Sequence, residues 1–239
     1  MTHPQLLDMN DPANTPDTPD EHGRIDNITN WCLAQFQDHY DDQTITKDGI
    51  WAYIYGVLHA PDWRTTYAND LRKGLPRIPL APDFRVFQEA GQQLIDLHLN
   101  YETSEPWPLR IITTGNDDDP DLYRIKRKMD WGKERDPDGK LVKNKTVLVI
   151  NDHCRIEEIP DEAHDYVVNG KTPLDWAIAQ LTVSTDSKSG ITNNANHWHA
   201  WADNPFELIR HLQRLVRVSV ETTRIVKGLP AALVEPPRL

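Results

Sequence analysis

The sequence predicts an α+β fold, with helical hairpins and a long C-terminal helix packed on a small, mainly antiparallel β-sheet. Three observations lead there. The first hundred residues carry apolar positions at helical spacing. Past Pro106 and Pro108 the period changes to short β-branched runs bounded by turn residues. From about 205 to 227 the helical period returns. A chain of 239 residues, 38% hydrophobic and with 8 tryptophans, can bury a real core and suits one large domain or two small ones. Three segments are expected: an acidic leader over 1–23, a folded domain over 24–230, and a tail over 231–239.

The leader is rich in Pro, Asp, Asn and Thr without period, so it is expected to be disordered and dispensable for folding. Asp26 or Asn27 can cap a first helix that carries Ile28, Trp31, Cys32, Gln35 and Phe36. Thr46 opens a second, in which Ile50, Tyr53, Ile54, Val57 and Leu58 share a face. Trp51 and Tyr55 widen that face until little of the helix can meet water. Pro61 interrupts, Asp62 suits a new first turn, and a third helix runs through Trp63, Tyr67 and Leu71 to Gly74 and Pro76. The aromatic density of residues 50–71 reads as core packing before it reads as a stacking platform. A fourth helix aligns Phe84, Phe87, Ala90, Gly91, Leu94, Ile95 and His98.

"LRIITT", "YRIKRKM" and "TVLVIN" then read as strands, separated by "GNDDDPD" and "RDPDGK" turns, and "DHCRIEEIP" extends or pairs with them. Short helices follow near 161–168 and 173–181. The segment "STDSKSGITNNANHWHAW" reads as a polar loop before the last helix.

Charge is unevenly spread. Of the net −11, residues 1–42 hold −8, whereas residues 124–145 hold nine bases against four acids. An acidic chain is usually a poor nucleic-acid binder, but a local basic patch reopens that class. No apolar run approaches the roughly 20 residues of a membrane span, and the N-terminus lacks a signal-peptide layout. Cys32 and Cys154 sit in no metal or redox spacing, which favours buried free thiols and a cytoplasmic setting.

Catalytic constellations are sparse. Asp121, Asp138 and Lys140 imitate a metal-dependent nuclease, but "DPDGK" is turn chemistry, not a rigid strand. His197 and His199 could share a strand face yet have no third ligand at characteristic spacing. There is no Gly-rich phosphate loop, no GxSxG, and no polar-Pro-Pro-aromatic tetrad of an amino-methyltransferase. What remains is the basic run and the polar loop. As a strand, "YRIKRKM" would set Arg124, Lys126 and Lys128 on one face, about 6.6–6.8 Å apart, near phosphate spacing. The loop gathers Thr185, Ser187, Lys188, Ser189, Asn193 and Asn194, in which Lys and Ser suit phosphates and Asn can pair with adenine.

Several long motifs occur in one order: "ITKDGIWAYIYGVLHAPDWRTTYANDLRKGLPRIPL", "FQEAGQQLIDLHLNYE", "YRIKRKM", "TVLVINDHCRIEEIP", "AHDYVVNGKTPLDWAIAQ", "TDSKSGITNNAN" and "VSVETTRIVKGLP". Over residues 24–230 the chain resembles the C-terminal specificity region of type ISP restriction–modification enzymes. The resemblance implies target recognition on double-stranded DNA, as part of a polypeptide that also holds a nuclease, a helicase-like motor and an adenine-N6 methyltransferase. S-adenosylmethionine, ATP and magnesium are implied for that parent enzyme, and no cofactor for this chain. The expected DNA contacts are Arg124, Lys126, Lys128 and Lys145 on phosphates, with Thr185, Lys188, Ser189, Asn193 and Asn194 entering a groove. Two rivals stand beside this reading: a nuclease using Asp121, Asp138 and Lys140, and a protein-interaction module without DNA binding.

Overall fold

The computed structural model describes residues 11, 13–15, 17–19, 21–23, 25–69, 74, 77–116 and 118–233. They form two compact units, one built from residues up to His98 and from Arg224 onward, the other from Leu99 to Thr223.

The first unit is helical. Helix α1 (Asn30–Tyr40) is capped by Thr29, whose hydroxyl accepts from the Cys32 amide, and not by Asp26 or Asn27. Asn14 and Asp17 of the leader reach this cap region. Asn14 Oδ1 accepts from Thr29 Oγ1 at 2.9 Å, Asp17 Oδ1 accepts from the Asn30 amide at 3.0 Å, and Asp17 pairs with Lys47. Within the segment expected to be disordered, residues 1–10, 12, 16 and 20 lie outside the described residues. Helix α2 (Lys47–His59) starts on Thr46 as expected, and α3 (Pro61–Thr66) starts on Pro61. Helix α3 is shorter than predicted, because Tyr67 already leaves helical geometry. Leu71 and Pro76 lie outside the described residues.

Helix α4 (Phe84–Asn100) crosses α2 at two glycines. A Cβ on Gly91 would stand 1.7 Å from the Ala52 carbonyl oxygen, and one on Gly56 2.3 Å from that of Phe87. The crossing therefore needs both residues bare. Around it Tyr53 stacks on Phe84 at 5.0 Å, with Phe36 edge-on to both rings. The Tyr53 hydroxyl donates to the Pro79 carbonyl and accepts from the Ala81 amide, so its polar tip is satisfied in the core. Trp51 departs from expectation: it is 54% exposed. The buried arc of α2 is Ile50, Ala52, Tyr53, Gly56 and Val57, so the apolar face is narrower than its composition suggested.

The second unit packs helices on one antiparallel sheet. Strands β1 (Arg110–Thr113), β2 (Asp130–Arg135), β3 (Leu141–Val149) and β4 (Cys154–Glu157) lie in the order β1-β4-β3-β2. Their register aligns Ile111, Ile156, Leu148 and Trp131 across the sheet. Against this row pack Leu208, Ile209, Leu212, Val216 and Val220 of the long helix α6 (Phe206–Lys227). Helix α5 (Pro173–Gln180) adds Leu174, Ala177 and Ile178 to the same core. The β2–β3 turn closes through "DPDGK" with Gly139 at φ +78°, where a glycine is the natural occupant.

Three elements of this unit differ from the sequence reading. "YRIKRKM" is not a strand: a 3-10 turn over Pro120–Tyr123 leads into an irregular segment that ends where β2 begins. The polar loop contains a β-hairpin, β5 (Val183–Thr185) paired with β6 (Thr192–Asn194). The helix expected near 161–168 is a single 3-10 turn, Asp161–His164. Cys32 and Cys154 are buried thiols that form no disulfide, as expected. No helix among the described residues is long and apolar enough to cross a membrane.

Candidate nucleic-acid interface

Two distant asparagines hold the basic segment. Asn151, in the turn between β3 and β4, donates from Nδ2 to the carbonyls of Leu122 and Arg124, both at 2.8 Å. Its Oδ1 accepts from the His153 and Cys154 amides. Asn196 follows the hairpin and is 9% exposed. Its Oδ1 accepts from the Ile125 amide at 2.9 Å, while its Nδ2 donates to the Ile125 carbonyl at 2.8 Å. One side chain thus satisfies both backbone groups of a residue that is itself 1% exposed, as a strand partner would. Two residues on, the Val183 amide donates to the Arg127 carbonyl at 2.7 Å, and Lys128 bridges to Thr182. The basic segment is therefore stitched to the base of the hairpin, and the two candidate surfaces become one.

Between the buried anchors Ile125 and Met129, the side chains of Lys126, Arg127 and Lys128 are all exposed. The cations are consecutive and do not alternate. Arg127, which alternation assigned to the opposite face, joins the group. Arg124 stands apart: it is half-buried, and its Nε pairs with Asp121 at 2.9 Å. Lys145 on β3 lies 4.0 Å from Asp175. Burial raises the Asp175 pKa, but hydrogen bonds from Trp131 and Thr172 and the charge of Lys145 outweigh it and hold the carboxyl below its ordinary value. Lys145 therefore faces a carboxylate held by the fold, while its own side chain remains exposed. Lys143 and Lys171, not singled out in the sequence, join Lys128 around a cavity of about 400 Å³ beside β2. Lys171 also covers the Trp176 ring at 4.5 Å.

The hairpin tip is ordered by one carboxylate. Asp186 Oδ1 accepts from the Lys188 amide, the Ser189 amide and the Ser189 hydroxyl, and Gly190 closes the turn at φ +72°. The Ser189 amide and hydroxyl, followed by the Lys188 amide, hold the Asp186 carboxyl below its ordinary value. Ser189 is thereby committed to the turn, whereas the Lys188 side chain is exposed at the tip. Thr185 and Thr192 share a hydroxyl–hydroxyl bond across the strands at 2.8 Å. Asn194 caps the following 3-10 turn through Oδ1 and sets its Nδ2 against His197, so its amide is largely engaged. Asn193 is exposed and makes a long bond to Thr182 Oγ1 at 3.3 Å. Of the two asparagines, Asn193 keeps an amide edge for a partner.

The rival chemistry is not assembled. The Asp138 and Lys140 amides close on Asp136 Oδ1 within the β2–β3 turn, while Asp121 pairs with Arg124 in a different turn. Among the described residues no group of three or more His, Cys, Asp or Glu converges as metal ligands.

Comparison with known proteins agrees with this architecture. No curated protein sequence matches. Several solved structures are similar, among them the following three. A nuclease-deletion mutant of the type ISP restriction–modification enzyme LlaGI, in complex with a DNA substrate mimic, shares 35% identity over 81% of this chain and 14% of its own, at a TM-score of 0.65. The DrdV–DNA complex shares 31% identity over 90% of this chain and 21% of its own, at 0.73. The ATP-dependent type ISP enzyme LlaBIII bound to DNA shares 28% over 83% and 12%, at 0.66. The chain thus spans about a fifth or less of the length of each. Residues 5–211 match the family described as the type ISP C-terminal specificity domain. The chain belongs to that family.

Proposed function

We propose that this chain reads a base sequence in double-stranded DNA as the specificity part of a type ISP restriction–modification enzyme. The observation that carries the reading is the Asn196 clamp, which fixes the exposed cations 126–128 against the hairpin. A two-stranded ribbon fits the major groove, and cations beside it fit the flanking phosphates. Lys126, Arg127, Lys128 and Lys143 would hold the backbone, and the hairpin with Thr185, Lys188 and Asn193 would enter the groove. Its relatives LlaGI, DrdV and LlaBIII are DNA complexes, which supports the same partner.

The methyl transfer, translocation and cleavage of such an enzyme are assigned to domains outside this chain, along with S-adenosylmethionine, ATP and magnesium. This chain contributes binding and register, not a reacting group. Its setting is then the cytoplasm, where methyltransferase and helicase-like domains act on the same duplex.

Selection of duplexes from a random pool by the full chain, followed by titration across salt concentrations, tests the reading. A sequence motif should be enriched. Lys126→Ala should weaken all duplexes alike and lower the salt slope by about one unit. Asn193→Ala should cost about 1–3 kcal/mol on the enriched sequence and little on scrambled DNA. Recovery of no motif, with binding insensitive to salt, would return the chain to a protein-interaction role.

A further inference from the structure

A second surface of the same unit has chemistry that phosphate capture does not use. A cavity of about 860 Å³ opens among the Tyr101–Thr103 turn, the Trp198–Trp201 turn and α6. Rings dominate its walls. Trp198 is 56% exposed, an unusual place for an indole, and it lies two residues past Asn196. Trp201 donates its Nε1 to the Ala195 carbonyl at 2.8 Å, which ties this wall to the end of the hairpin. Tyr101 and Trp201 both flank His211, with ring centroids 6.3 and 5.4 Å away. The interplanar angles of these pairs, and of Trp198 with Trp201, lie between 39° and 54°. The rings are therefore splayed, and none lies flat on another.

We propose that this cavity takes an unpaired nucleobase from DNA bound along the adjoining basic segment and hairpin. The inference rests on the DNA reading above and deepens it. A planar ligand suits splayed rings that offer π-faces, because every base stacks on such a face. Most of the charged groups at the rim are already paired with one another, which suits a neutral ring. Arg214 lines the cavity, held by the Ser104 carbonyl at 2.9 Å, and it opposes a second cation. The nearby Glu207 is occupied by Arg210 and Arg214. Burial pushes the His211 imidazole down from its ordinary value, so at neutral pH it adds no charge. Glu102 accepts from the Tyr101 hydroxyl at 3.1 Å and keeps acceptor capacity for an exocyclic amine, the group that cytosine and adenine carry.

The test compares three duplexes of one sequence by fluorescence anisotropy: fully paired, with a single bulged cytosine or adenine, and with an abasic bulge. The full chain should bind the base-containing bulge about tenfold more tightly than the other two, a factor within the range of one stacking contact. Trp198→Ala should remove that preference and leave affinity for the paired duplex unchanged. Its exposure makes a folding failure unexpected, and unchanged paired binding verifies it. Tyr101→Leu should reduce the preference independently. Equal affinity for base-containing and abasic bulges overturns the proposal, as does a preference that survives Trp198→Ala. Free dCMP or dAMP binding without any bulge preference overturns the DNA source in particular. Loss of paired-duplex binding in the unsubstituted chain would instead count against the DNA reading itself, so the two failures are distinguishable.

Discussion

At Asn196 one amide does the work of a strand. Removing it leaves the Ile125 N–H and C=O buried and unpaired, each worth about 1–3 kcal/mol when orphaned. Asn196→Ala should lower the urea midpoint of the second unit and weaken DNA binding together, since both depend on one backbone position. Asn196→Asp retains the acceptor alone and should fall between. The two tryptophans nearest the α2–α3 junction separate exposure from composition. Trp63 is 1% exposed and donates Nε1 to the Arg77 carbonyl, so Trp63→Ala should cost roughly 3–5 kcal/mol. Trp51→Ala should stay within about 0.5 kcal/mol, because its ring already faces solvent. Denaturant titrations of the two variants check both. His98 adds a pH dependence to the first unit. Burial, and then the neighbouring His59, press its pKa down to about 4, against 6.5 for an ordinary histidine. The unfolded chain therefore takes up a proton below pH 6.5 that the folded one resists. Stability from this site is complete above 6.5 and is lost as pH falls toward 4. Melting curves at pH 7, 6 and 5 should decline more steeply for the native chain than for His98→Gln.

Elements held by their own backbone ladders were legible, and elements held by distant side chains were not. Helices α2, α4 and α6 and strands β1, β3 and β4 follow from periodicity and turn residues, with Thr46, Pro61 and the Asp-Gly turn marking their ends. The 124–128 segment resisted because its partners are Asn151 and Asn196, far along the sequence, which no local pattern announces. Buried Tyr123 and Ile125 supplied an alternation that genuine strands also have, and the 3-10 turn begun at Pro120 broke it. The sequence showed the candidate residues as two separate sets; that the two segments meet, that Arg127 is exposed beside Lys126 and Lys128, and that Arg124 and Lys145 stand against carboxylates all depend on contacts made only in the folded chain. The hairpin was hidden for another reason. Strands of three residues each, VST and TNN, offer almost no apolar face, so composition reads as loop. Their order comes from the Asp186 turn. Asp186→Ala should loosen the tip and raise hydrogen exchange at the Lys188 and Ser189 amides, while the four-stranded sheet keeps its protection. Equal loosening of both would mean that the hairpin is not a separate element.

On the scale of the whole molecule, the proposed function requires an acidic chain to approach a polyanion, and the distribution of charge decides how it could. The basic segment supplies short-range attraction, while most of the −11 sits in the first 42 residues. Residues 1–22 contain five acids and no Lys or Arg, so their removal relieves repulsion without touching a candidate contact. The leader also has a local task. Asp17 joins Lys47, which Asp26 approaches at 3.3 Å, and with Asn14 it bonds the start of α1. Hydrogen bonds from Lys47 and the Asn30 amide hold the Asp17 carboxyl below its ordinary value. A truncation beginning at residue 23 should therefore have two separable effects. Thermal stability of the first unit should fall by more than the degree or two expected for a solvated tail. Affinity for arbitrary duplex DNA should rise at low salt, and the gain should vanish at high salt, where charges beyond about 3 Å are screened at 1 M. Asp17→Asn divides the two, since it weakens the tie to Lys47 yet removes one charge of five. It should reproduce most of the melting shift and only a small part of the affinity gain. A truncation that leaves melting unchanged would make the leader a pure charge screen; one that leaves low-salt affinity unchanged would remove it from the DNA encounter.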